Sequence, residues 1–115
     1  MSVLVYIETQ NQEIKKSSLE VASYGRAIAD AKSTSLIAVC FGLEDSSQLA
    51  AYGVDKVFVI PTAGDIHFNA ERYSSTLVAI AKAEAVDLFI VSGSANGRFI
   101  GPLIAIKFEA TGLPV

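Results

Sequence analysis

Leu88-Phe89-Ile90-Val91-Ser92-Gly93-Ser94-Ala95-Asn96-Gly97-Arg98 decides how this chain is read. An unbroken apolar run, opened by Asp87, gives way to small and polar residues with glycines at 93 and 97. Such a run suits a strand covered on both faces, since alternation is lost when neither face meets water. Glycines at its carboxyl end let the backbone turn sharply and come close to a ligand or another chain. Phe99 to Ala110 then reads as a helix, stopped by Thr111-Gly112-Leu113-Pro114-Val115. Pro102 lacks an N–H and clashes one turn back, so the helix starts near Phe99 and Ser92–Arg98 stays a loop.

The same pattern recurs upstream. Val3-Leu4-Val5-Tyr6-Ile7 is a first central strand, followed by a polar loop from Glu8 to Lys16. Ser17-Ser18-Leu19-Glu20 has capping-box spacing and predicts a helix start. Val21, Tyr24, Ile28 and Ala31 fall on one face of that helix and predict its buried side. Gly25 costs it about 1 kcal/mol against alanine and points to close packing on the sheet. Ser35 to Phe41 is the second strand, ended by Gly42. A short helix over Ser46 to Tyr52 closes on Gly53 as a left-handed cap. Lys56 to Ile60 is the third strand, ended by Pro61. Asn69 is a good N-cap for a longer helix with Tyr73, Leu77, Ile80 and Ala81 on its apolar face. Gly53-Val54-Asp55 and Ala85-Val86-Asp87 precede apolar strands in the same way and predict one helix-to-strand junction used twice.

Strands alternating with helices predict an α/β fold: a parallel sheet of at least four strands, helices on both faces, Rossmann-like, with right-handed crossovers. The expected strand order is 3-2-1-4. Direction reverses between strands one and four, and the crevice there is lined by Glu8-Thr9-Gln10-Asn11 and by Ser92 to Arg98.

Composition narrows the function. A chain of 115 residues, 51% hydrophobic, is read as one packed domain spanning 1–115. Net charge is -3 with both signs scattered and no basic block, which argues against nucleic acid as a partner. No apolar run reaches the ~18 residues of a membrane span. Met1-Ser2-Val3 runs straight into a strand without a targeting pattern, so the expected location is the cytoplasm. The single cysteine, Cys40, cannot form an internal disulfide and fits a reducing compartment.

The candidate site is the loop Ser92, Gly93, Ser94, Asn96, Gly97, Arg98. Backbone N–H groups ahead of a helix, hydroxyls and a guanidinium suit an anion. The spacing matches neither G-x-x-x-x-G-K-[ST] nor G-x-G-x-x-G. The other reading is a tight turn with Arg98 in solvent or at an interface. His67, beside Asp65, reads as a surface histidine. Cys40, in an apolar strand, reads as core and unreactive. Glu44-Asp45 read as helix-start charges. One Cys and one His cannot close a zinc site, no Gly-x-Ser-x-Gly elbow is present, and no catalytic residue is assigned.

Ser92-Gly93-Ser94-Ala95-Asn96-Gly97-Arg98, then Pro102, then Ala110-Thr111-Gly112-Leu113, resembles the amino-terminal domain of the electron transfer flavoprotein α subunit. So do Val3-Leu4-Val5-Tyr6-Ile7-Glu8 and Ala50-Ala51-Tyr52-Gly53-Val54-Asp55-Lys56-Val57. The resemblance covers nearly the whole chain. It implies an adenine nucleotide α-hydrolase-like layout and a β subunit as partner. It implies a parent complex that carries electrons from flavin dehydrogenases, such as acyl-CoA dehydrogenases, to a membrane quinone reductase. FAD in that family is held by a following domain, so none is expected in this chain, and no family FAD residue transfers to a position here. The chain is then an electron-carrier fragment, incomplete at its carboxyl end, and not an enzyme. The rival family is the universal stress protein, whose G-x-x-G, nine residues, G-[ST] pattern is not met. With the fourth strand at the sheet's edge and apolar residues all round the last helix, the fragment is expected to self-associate.

Overall fold

The chain is described by a computed structural model over residues 2–10, 13–42, 46–60, 70–91 and 102–104. Its centre is β1, Ser2–Ile7, in which every residue is buried. Side chains alternate between faces: Val3, Val5 and Ile7 enter one core and Leu4 and Tyr6 the other. Each such burial contributes about 1.5–3 kcal/mol, so one strand anchors both layers. A hairpin of β2, Thr9–Gln10, and β3, Glu13–Ile14, follows. Helix α1, Lys16–Ala31, leads to β4, Ser35–Phe41, and a 3-10 helix, Ser47–Tyr52, leads to β5, Lys56–Ile60. Helix α2, Ala70–Ala83, precedes β6, Val86–Ile90. Residues 102–104 are helical, with Ile104 buried.

The sheet runs β5-β4-β1-β6, all pairs parallel. This is the expected order of strands three, two, one and four. Helix α1 and Leu49 of the 3-10 helix cover the face of Val3 and Val5. Helix α2, through Leu77, Val78 and Ala81, covers the face of Leu4 and Tyr6, where Ile104 also packs. Right-handed crossovers place the layers this way: the chain steps outward twice on one face, then recrosses on the other.

Several local expectations are corrected. The Glu8–Lys16 loop contains the β2–β3 hairpin, because Lys15 N–H donates to Glu8 C=O at 3.0 Å and folds the loop back. The Ser17–Glu20 capping box does not form. Helix α1 starts after Lys15, whose side chain makes no cap bond, and Ser18 Oγ instead accepts from Glu8 N–H at 2.7 Å. The buried face of α1 is Ser18, Ala22, Gly25 and Ala29, one residue round from the expected Val21, Tyr24, Ile28, Ala31. Small residues win this face because the helix lies very close to the sheet. A Cβ on Gly25 would come within 2.7 Å of Val5 Cγ1 and 2.9 Å of Leu36 Cδ1. The short helix expected over Ser46 to Tyr52 is a 3-10 helix, with Gly53 left-handed at φ 84° as expected. The fourth strand of the sheet begins at Val86, one residue before the expected Asp87, and leaves Val91 outside.

The repeated junction is real. Gly53 and Ala85 both take positive φ, a valine follows, and the aspartate next in line pairs with the α1 layer. Asp55 meets Arg26 at 2.8 Å and Asp87 meets Lys32 at 3.6 Å. Lys56 to Glu84 at 2.7 Å completes the set at the amino edge.

Candidate functional site

The carboxyl ends of β1 and β6 lie side by side where strand order changes direction, the place where open α/β sheets build sites. The residue that the fold fixes there is Glu8. Its side chain is 0% exposed, and its carboxylate lies 3.3 Å from Lys15 Nζ, which is itself one-third exposed. Its backbone N–H is held by Ser18 Oγ and its C=O by Lys15 N–H. One acidic residue past the end of a wholly buried strand is therefore fastened from three sides by the start of α1. A buried carboxylate demands such compensation, since desolvation disfavours its charge. The sequence signal for it was an acid abutting an apolar run, with a lysine seven positions on.

Of the expected crevice lining, Glu8 sits in this buried cluster and Thr9 and Gln10 lie in β2. Asn11 and the loop Ser92, Gly93, Ser94, Asn96, Gly97, Arg98 lie outside the described residues. So do His67, Glu44-Asp45, Pro61, the N-cap Asn69 and the helix stop at Thr111-Gly112. Pro102 is helical and exposed.

Cys40 is core, as read from the sequence. It is fully buried between β1 and β5, and burial pushes its thiol up to about 11, so it stays protonated and unreactive at neutral pH. The second charged cluster surrounds Arg26. Its guanidinium donates to Gly53 C=O at 2.7 Å and to Asp55 Oδ2 at 2.8 Å, and pairs with Asp30 one turn along α1. Asp55 also accepts from Leu36 N–H at 2.9 Å. That backbone donor, then Arg26, holds the Asp55 carboxyl below its usual range, and Asp55 in turn raises Arg26. Every partner belongs to the scaffold, so this cluster ties α1 to the β4–β5 layer. Among the described residues no three metal-ligating side chains converge, and no helix is long and apolar enough to cross a membrane.

Against known proteins, a family model described as the electron transfer flavoprotein domain matches residues 3–112. Protein FixB of Clostridium saccharobutylicum is 30% identical over 113 residues, covering 96% of this chain and 34% of that protein. The electron transfer flavoprotein subunit alpha of Clostridium acetobutylicum is 28% identical over 114 residues, again covering 96% of this chain and 34% of that one. The acryloyl-CoA reductase electron transfer subunit beta of Anaerotignum propionicum is 25% identical and is covered over 31%. The chain thus spans about a third of the length of these relatives. Among solved structures, a universal stress protein in complex with cAMP shares the fold: TM-score 0.54, 19% identity, covering 92% of this chain and 88% of that one.

Proposed function

Since this chain belongs to the electron transfer flavoprotein domain family, we propose that it is the amino-terminal α/β domain of an α-type electron-transfer subunit. Its task in that reading is to scaffold the α–β heterodimer and to hold a flavin-bearing domain. The observation that carries it is a match over nearly the whole chain to the family model and to proteins named as electron-transfer subunits, each about three times as long. FAD belongs to the remainder of the longer subunit. The parent complex would take electrons from flavin dehydrogenases of the acyl-CoA type and pass them towards the respiratory chain, in the cytoplasm. The domain itself is a carrier component and performs no catalytic step.

Co-expression with a tagged β-type subunit tests the reading. The chain should copurify with that subunit, and flavin should be retained only when the longer α-type subunit is supplied. Failure to copurify, or flavin retained by the 115-residue chain alone, would overturn it.

The second reading rests on the universal stress protein likeness, which is one of fold. It makes this chain a nucleotide-binding domain. Calorimetric titration with cAMP, AMP and ATP separates the two: weak or no binding favours the scaffold, low-micromolar affinity the nucleotide domain.

A further inference from the structure

We draw no further inference here: the strongest candidate, the outer edge of β6 at the end of the described sheet order β5-β4-β1-β6, carries nothing, because nothing among the described residues shows what covers it.

Discussion

At Gly25 the sheet leaves no room for a side chain. Alanine there would favour the helix by about 1 kcal/mol. Its methyl, however, would come within 2.7 Å of Val5 and 2.9 Å of Leu36, both fully buried, so one of them must shift. Overpacking of that kind costs about 1–3 kcal/mol. Gly25→Ala should therefore lower the thermal midpoint, where an exposed glycine in a helix would raise it. Asp55 gives a test in pH. Its folded carboxyl is held below the usual value, so its stabilisation is present above about pH 4 and is lost as pH falls through the depressed pKa. Urea midpoints of wild type and Asp55→Asn should differ most near neutrality and converge on acidification. A gap that stays constant with pH would mean the ionised form is not what Arg26 and the Leu36 N–H stabilise. Cys40 should resist a thiol reagent at about pH 8, near its unperturbed pKa, until the protein is unfolded.

Among elements, the strands were readable because continuous β-branched runs bounded by glycine or proline leave little choice. The faces of α1 were not. Periodicity counts apolar residues, and the row that packs on the sheet consists of serine, alanine and glycine. Of what periodicity found, Val21 and Ile28 pack half-buried at the margin of that core and Tyr24 is exposed. The β2–β3 hairpin escaped notice because two-residue strands carry no pattern, and Ser18 because a serine at a helix start reads first as a cap. Its actual work predicts that Ser18→Ala strands the Glu8 N–H in a buried place. The cost should be about 1–3 kcal/mol, the penalty of an unsatisfied buried donor. It should be visible as a lower urea midpoint with faster amide exchange at Glu8 and Lys15. Slow exchange at Glu8 in the variant would show that another acceptor takes over.

For the whole molecule, strand order and the location of the crevice follow from right-handed crossover rules, which need only the sequence of elements. The candidate loop Ser92–Arg98 reads from the sequence as a glycine-bearing turn whose spacing fits no phosphate pattern, and it lies outside the described residues. Glu8 was legible as a position on the crevice and not as a buried, clamped carboxylate, because burial depends on Lys15 and Ser18 folding back over it. On the family reading the purified 115-residue chain should be colourless. An absorbance band of flavin travelling with it through gel filtration would overturn that reading.

The strand on which everything rests is made before every other described strand. Ser2 pairs with Ser35 on one side and with Val86 on the other. At about 5–20 residues per second, Val86 follows Ser35 out of the ribosome by about 3–10 s. For that interval an apolar strand that ends up wholly interior has only one neighbour. Pairings so distant along the chain also slow folding once synthesis is complete. The nascent chain should thus be held by chaperones until β6 arrives. Truncation before Val86 should lengthen the time the product stays chaperone-bound, and ribosome-stalled lengths on either side of β6 would locate the release.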